Sequence, residues 1–523
     1  MKQIGNQLII LIAAYIPLLS AASNYYVSPS GNNSNSGLMP ETPFETLNYA
    51  SNQTSPGDTV FAMNGTYTNN ASMSNVLNIY ESGTEGNGIV YINYPGHTPL
   101  IQVNENNWSG VAIQGADYIT IDGFHIVGNN DAITLEYALE EQLNTGNPAT
   151  SANGIGITRE YGNISNKPHH NAIRNCTISK CGGAGIYTYW ADYTTIENNT
   201  VFECAWYSPY GNSGISLYQN WNSDSTQNFR NYILRNTCYR NENYIPFIAV
   251  GSITDGNGII IDDNRNTQND SDQGLYLGKT YIANNLIFDN GGRGIHVYLS
   301  DDVVIVNNTC YKNCQSPAID DGEFTAYEAD SIYILNNIAF PSANIPPIDQ
   351  SDFSTTNFTV DHNLWGANNN LANPFGTNTV FGNPNFIMPD NNPLMADFHL
   401  LSVSNAINSG TTLFAPAMDK DGNLRLSTDS IDIGCYEFQS VTSISDIDTK
   451  EMSYIISPNP FHQRINVLNA KGTEKYALLN QLGQIIYSGK LLSDYDFSGL
   501  PDGVYYLRIA TECSSETYKI VRH

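Results

Sequence analysis

The stretch Asn285-Leu286-Ile287-Phe288, then Gly294-Ile295-His296-Val297-Tyr298, then Asn308-Thr309-Cys310-Tyr311 contains one complete turn of a repeating structure. Both phrases recur along the chain. The asparagine phrase stands at Asn175, Asn199, Asn236, Asn285, Asn308 and Asn337, with spacings of 24, 37, 49, 23 and 29 residues. The Gly-Ile phrase stands at Gly154, Gly185, Gly214, Gly258 and Gly294, and Ala318-Ile319 is expected to continue it. Gly185 leads to Asn199, and Gly294 to Asn308, over the same 14 residues. A unit of 23–24 residues with inserts fits one coil of a right-handed parallel β-helix. In such an all-β solenoid each short strand pairs with its equivalents one coil away, so identical residues stack. A β-propeller would need blades of about 40–45 residues with their own signatures, which are missing.

The composition bounds the function. The chain has 523 residues and a net charge of −28, yet only 14% of residues are charged. Such acidity argues against nucleic-acid backbones and anionic membranes as partners. Lys2, the apolar run Leu8–Leu19 and Ser20-Ala21-Ala22 read as a signal peptide over residues 1–22. Eight cysteines in an exported chain permit disulfides without requiring them. No C-x-x-C pair occurs, and stacking of equivalent positions favours buried free thiols. After a linker at 441–453, alternating apolar strands from 454 to 523 describe a small C-terminal β-sandwich.

Three motifs carry resemblances. Ile456-Ser457-Pro458-Asn459-Pro460-Phe461, Leu478-Leu479-Asn480-Gln481-Leu482-Gly483-Gln484 and Gly499-Leu500-Pro501-Asp502-Gly503-Val504-Tyr505-Tyr506 resemble the C-terminal sorting domain of the type IX secretion system of Bacteroidetes. That resemblance implies the secretion machinery as a partner and a secreted or cell-surface location. Tyr25-Tyr26-Val27-Ser28-Pro29, Pro43-Phe44-Glu45-Thr46-Leu47 and Pro56-Gly57-Asp58-Thr59-Val60-Phe61 resemble the opening of secreted β-helix carbohydrate-active proteins. That opening implies a capping strand, a short helix and then the first coils. Asp432-Ile433-Gly434-Cys435-Tyr436-Glu437 resembles their closing phrase, so the β-helix is expected over residues 23–440.

Strand alternation turns the Gly-Ile phrase into a ruler. One and three residues after each glycine lie core positions; two and four residues after it lie outward ones. Tyr189, Tyr218, Asp262 and Tyr298 should therefore stack on one outer stripe, with His296 beside them and Arg159 and Glu160 at the same edge. Enlarged loops carrying Trp206, Tyr210, Trp221 and Lys279 flank that stripe and suggest a groove, since aromatic faces stack on sugar rings. As a rival reading, a tyrosine ladder is simply stacking glue.

The densest constellation runs Thr254 to Asn266 and includes Asp255, Asp262, Asp263 and Arg265; Arg293 and His296 lie one coil on. Paired carboxylates could bind Ca²⁺, act as an acid/base pair or orient Arg265. Arg159, Arg265, Lys279 and Arg293 are expected to converge on one groove edge and so offset the chain's acidity locally. Elimination on a uronate needs a cation (Arg265 or Arg293), a base (His296 or Lys279) and an acid (Tyr218 or Tyr298). These features resemble β-helix polysaccharide lyases and an oligosaccharide dehydratase type of ulvan-degrading marine Bacteroidetes. The resemblance implies an acidic poly- or oligosaccharide partner. No Asp cluster spread over successive coils matches the calcium-dependent lyases, so no cofactor is required, with Ca²⁺ left open. Hydrolysis through Asp262 and Asp263 is the alternative, and a non-catalytic glycan-binding solenoid the third. A monomer is expected.

Overall fold

The computed structural model describes residues 22–349, 356–366, 376–425, 430–439 and, in stretches, 454–522. The expected signal peptide and linker 441–453 lie outside the described residues, apart from Ala22. Two compact units meet in sequence between Phe438 and Gln439.

The first unit is a parallel β-helix of three sheets, called A, B and C here, with 11, 11 and 8 strands. Successive strands of one coil join different sheets, and each pairs in parallel with the equivalents one coil before and after. In sheet C, Ile155, Ile186, Ile215, Ile259 and Ile295 occupy one register position. All five are fully buried. Sheet A contributes Ile173, Ile196, Ile233, Ile282 and Ile305 in the same way. Sheet B contributes Ile178, Val201, Cys238, Ile287 and Cys310. Each buried isoleucine is worth about 1.5–3 kcal/mol against exposure, so the core is a stack of β-branched side chains. Among the described residues Cys176, Cys181, Cys204, Cys238, Cys310, Cys314 and Cys435 are buried free thiols, as stacking favoured.

Two asparagine ladders hold the turns. Between sheets A and B, Asn199 donates its backbone N–H to Oδ1 of Asn236 (2.9 Å), Asn236 to Asn285 (2.8 Å), Asn285 to Asn308 (2.9 Å) and Asn308 to Asn337 (2.8 Å). Between sheets B and C, Asn241 donates to Asn290 (3.0 Å) and Asn290 to Asn313 (3.2 Å). That second ladder ends on a carboxylate: Asn313 donates from N to Glu323 Oε1 (3.0 Å) and from Nδ2 to Oε2 (2.6 Å).

The glycines stand where the coils leave no room. A Cβ on Gly294 would lie 2.6 Å from Cys310 Sγ and 2.8 Å from Glu323 O. The series ends differently from expectation. Ala318-Ile319 falls in a loop, and the next sheet-C strand is Phe324–Tyr327 with Glu323 at the glycine position. The glycine is dispensable there because the Glu323 side chain takes the place of the next ladder asparagine. Thr46 caps the expected short helix Leu47–Ser51, its side chain accepting from Tyr49 N. Two further short helices, Leu135–Glu140 and Pro148–Ser151, build an insert the repeat does not foreshadow.

In the second unit, Ile455–Ser457 pairs with Asn466–Leu468, and a four-stranded antiparallel sheet holds Ile485–Gly489, Lys475–Leu479, Gly503–Ala510 and Ser515–Arg522. Phe461, Ile465, Leu478, Phe497, Leu507 and Ile520 form its core.

Candidate functional site

The ruler places two columns on the outer face of sheet C. Thr158, Tyr189, Tyr218, Asp262, Tyr298 and Tyr327 share one register position; Gly156, Tyr187, Ser216, Ile260, His296 and Thr325 share the other. Neighbours in a column stand about 4.8 Å apart along the ladder. The Tyr189 and Tyr218 rings stack at 5.6 Å and 17°.

Loops on either side raise this face into a groove. On the side joining sheets C and A, the wall is fixed by a buried ion pair. Arg230 Nη1 donates to Asp192 Oδ2 (2.9 Å), and both side chains are fully buried. Tyr276 Oη donates to Asp192 Oδ1 (2.6 Å), and Ser223 N to Oδ2 (2.8 Å). A buried charge is tolerated only when paired and hydrogen-bonded, so this cluster ties loops 219–229 and 263–278 to the coil of Asp192. On the opposite wall, Trp206 donates Nε1 to Arg240 O (3.2 Å) and packs against Tyr244, while Tyr210 Oη donates to Thr145 O (2.9 Å).

At the middle of the groove four ionisable groups converge. Burial, with the Asp255 and Asp263 carboxylates near, holds the Asp262 carboxyl well above the usual carboxylate range. Burial also raises Asp255, against the pull of Thr254, Arg293 and Asn257. His296 is 6% exposed, and burial together with the Arg293 charge holds its imidazole well below the ordinary histidine range. Its Nδ1 contacts Thr325 Oγ1 at 2.5 Å, and Nε2 has no hydrogen bond to another described residue. Arg293 is ion-paired with Asp321 and donates Nη1 to Thr254 O (2.6 Å). The centre therefore brings together a carboxyl that burial shifts toward its protonated form, an imidazole that burial shifts toward its uncharged form, and a guanidinium. Tyr218 lies beside it, its Oη accepting from Asn269 Nδ2 (2.7 Å), and burial with the Asp262 charge raises its phenol.

Other expected residues stand elsewhere. Asp263 follows Asp262 but is fully buried at a left-handed position (φ 50°). It accepts from Thr267 N (2.8 Å), Thr267 Oγ1 (2.9 Å), Gln268 N (2.7 Å) and Gln219 Nε2 (2.8 Å). With both oxygens engaged it organises a turn, so Asp262 and Asp263 do not face one substrate or one cation together. Among the described residues no three His, Cys, Asp or Glu side chains stand together as a metal site would need.

The expected convergence of Arg159, Arg265, Lys279 and Arg293 does not form. Arg265 turns to Asp301 (Nη2 to Oδ1, 2.8 Å). Lys279 begins a strand of sheet A and pairs with Asp302 (3.4 Å) on that other face. The long loop before it walls the groove, with Gln268 and Asn269 reaching Asp262 and Tyr218, and then returns the chain to sheet A, where Lys279 stands. Glu160 closes its own loop, accepting from Asn163 (3.2 Å) and Asn166 (2.9 Å). Arg159 does reach the groove, its guanidinium 5.9 Å from the Tyr189 ring and 5.1 Å from Trp190. Tyr298 stacks near His296, with centroids 6.0 Å apart. Lys167, Trp190 and Thr325 also belong to this face and were not singled out by sequence. Lys167 and Trp190 lie in turns outside the repeated phrases, and Thr325 follows the glycine-less Glu323.

The fold and the site together define a right-handed parallel β-helix with an aromatic groove on one face and carboxyl, imidazole and guanidinium at its centre. Residues 25–321 match the model of the Pel9A-like right-handed β-helix region, and the chain belongs to that family. Residues 455–523 match the secretion system C-terminal sorting domain, which marks the protein for secretion or cell-surface export. Among solved structures, pectate lyase Pel9A is similar at 17% identity, with a TM-score of 0.48, over 80% of this chain and 97% of that one. A rhamnogalacturonan lyase is similar at 14% identity, with a TM-score of 0.39, over 71% of this chain and 91% of that one. XylC, in complex with xylose, is similar at 11% identity, with a TM-score of 0.41, over 80% of this chain and 98% of that one. No curated protein matches the chain.

Proposed function

We propose that the protein cleaves a uronate-containing glycan by β-elimination. One observation carries this reading: a carboxyl that burial raises and an imidazole that burial lowers share the outer face of sheet C beside a guanidinium. Elimination requires a base for the C5 proton, an acid for the oxygen leaving C4, and positive charge near the uronate carboxylate. His296 Nε2 takes the C5 proton. The C5–H electrons form the C4–C5 double bond as the C4–O bond breaks, and the departing oxygen receives the Asp262 proton. Arg293, whose charge acts on His296 and on Asp255, stabilises the charge that develops on the carboxylate. The aromatic column of Tyr189, Tyr218 and Tyr298 offers faces for the sugars. Membership of a family named for Pel9A, and export to where polymeric glycans are met, support the same substrate class. No step in the scheme uses a metal, and the rate is expected to persist in excess chelator.

Hydrolysis is the second reading, favoured by one observation. The Asp255 charge helps raise Asp262, and burial raises Asp255 itself, so two carboxyls are shifted upward as a glycosidase acid requires. The test is incubation with oligogalacturonate, oligoalginate and glucuronate-containing oligosaccharides. Elimination yields the ultraviolet absorbance of a conjugated double bond in step with new reducing ends. Reducing ends without that absorbance would replace elimination by hydrolysis. His296→Ala is expected to lower turnover about 10²–10⁴-fold while thermal unfolding stays unchanged. Full turnover in that variant overturns the assignment.

A further inference from the structure

Nine of the thirteen lysines and arginines in the β-helix pair with a carboxylate, Arg293 with Asp321 among them; Lys312 leans on its neighbour Tyr311, and Lys420 donates to backbone carbonyls. Arg174, Arg235, Arg240 and Arg265 each pair with a carboxylate, as do Lys180 and Lys279 at the surface and Arg230 and Arg425 in the interior. Arg159 and Lys167 have no ion pair among the described residues, and both lean on the same tryptophan. The Arg159 guanidinium lies 5.1 Å from the Trp190 ring centroid; Lys167 Nζ lies 5.9 Å from Trp190 and 4.7 Å from Trp221. Among the described residues, the hydrogen-bond acceptor on Lys167 is neutral, Gln273 Oε1 at 2.5 Å. The nearby Asp272 carboxylate engages the amide of Gln273. Burial lowers the Lys167 ammonium, an effect Asp272 offsets only in part. Trp190 and Trp221 are themselves fixed, donating Nε1 to Gln219 Oε1 (3.4 Å) and to Pro168 O (3.1 Å).

Two half-buried cations with no carboxylate in direct contact are costly to hold. Aromatic faces recover part of that cost through cation–π attraction, and an arriving anion recovers the rest. The flanking rings are half-buried and continue the Tyr189–Tyr218 column, so the anion that fits is one carried on a ring that stacks. We infer that Arg159, Lys167, Trp190 and Trp221 form a subsite clasping the carboxylate of a uronate residue other than the one that reacts. Tyr189 stands two ladder steps from Asp262, or about 10 Å, which puts the clasped sugar outside the reacting ring. The inference rests on the proposed uronate substrate and adds what selects it.

Isothermal titration of the full chain with oligogalacturonate, oligoalginate and glucuronate-containing oligosaccharides, each compared with its carboxyl-reduced form, tests this. At least one acidic oligosaccharide is expected to bind 10-fold or more tighter than its reduced form, by about the strength of one charge-assisted hydrogen bond, and less so at high salt. Arg159→Met with Lys167→Met, which keeps the apolar stems, is expected to abolish that preference, and Lys167→Arg to retain it. Where turnover is measurable, the loss appears in KM rather than kcat. Equal binding of acidic and reduced forms, no binding at all, or a preference untouched by the double variant each overturns the subsite. Carboxylate-dependent binding without any eliminated product leaves the subsite standing and sinks the proposed reaction; elimination with an unchanged KM in the double variant does the reverse.

Discussion

Sheets B and C each carry a column of aromatic side chains on the outer face, and only one of the two columns is closed over. In sheet B, Phe202, Tyr239, Phe288, Tyr311 and Phe340 occupy one register position. Their rings stack at 4.8, 5.1 and 5.5 Å for the pairs Phe202–Tyr239, Tyr239–Phe288 and Tyr311–Phe340. The closing segment of the β-helix lies on top, with Phe398 5.2 Å from Phe288 and 5.1 Å from Tyr311. In sheet C the column Tyr189, Tyr218, Asp262, Tyr298 stays half-buried and is interrupted by a carboxyl with His296 beside it. A stacked ladder is thus no sign of a binding surface by itself. What sets sheet C apart is that the stack is uncovered and interleaved with groups whose protonation burial has shifted.

The comparison breaks most sharply at Phe288. Its side chain is 2% exposed and packs against the rings of Tyr239 and Phe398. Phe288→Ala is expected to cost about 3–5 kcal/mol in urea unfolding, as large-to-small changes in packed cores do, while binding in the sheet-C groove is unaltered. A cost below about 1 kcal/mol would show that the sheet-B column is not a core.

The two asparagine ladders offer a sharper contrast, because they differ at one residue. The A–B ladder runs on amides throughout, whereas the B–C ladder ends on Glu323, a fully buried carboxyl that burial raises from 4.5 to about 8. The folded protein therefore holds the proton over a range where the unfolded chain has released it. Folding stability from this group is fully present below about pH 4.5 and is lost as pH rises through about 8. The slope reaches at most about 1.4 kcal/mol per pH unit. Glu323→Gln supplies the single amide oxygen that the ladder asparagines use, and it is expected to flatten that dependence and stabilise the protein at pH 9. An unchanged pH profile of the unfolding midpoint would show that Glu323 keeps its charge in the fold.

These contrasts also mark what the sequence discloses. The Gly-Ile ruler predicts the sheet-C columns because the glycine is obligatory: a side chain at Gly154 or Gly294 would strike the neighbouring coil at under 3 Å. The fold, the outward Asp262 and His296, and the Arg159 edge follow from that constraint. Where the constraint lapses, the reading fails. Glu323 replaces the glycine, so the last strand of sheet C is misplaced onto Ala318-Ile319. Loops break the count: Arg265 lies in one and Lys279 follows one at the start of a sheet-A strand, and Asp301 and Asp302 hold them away from the groove centre. Lys167 reaches the groove through Gln273, 106 residues away, and no local pattern announces such a contact.

The smallest expected effect is on the open column, and it separates the two faces most directly. Tyr218 stacks on one neighbour, stands beside a carboxyl and has no lid. Tyr218→Ala removes one stacked pair, worth about 0.5–1.5 kcal/mol beyond area burial, and leaves its outer edge in water before and after. It should therefore lower stability by about 1 kcal/mol, well short of the Phe288→Ala cost. Its larger consequence is expected in glycan affinity, because the missing ring is the sugar platform next to Asp262, whereas Phe288→Ala leaves affinity alone. If Tyr218→Ala destabilises the protein as much as Phe288→Ala and leaves glycan affinity unchanged, the sheet-C column is packing like its counterpart, and the groove loses its floor.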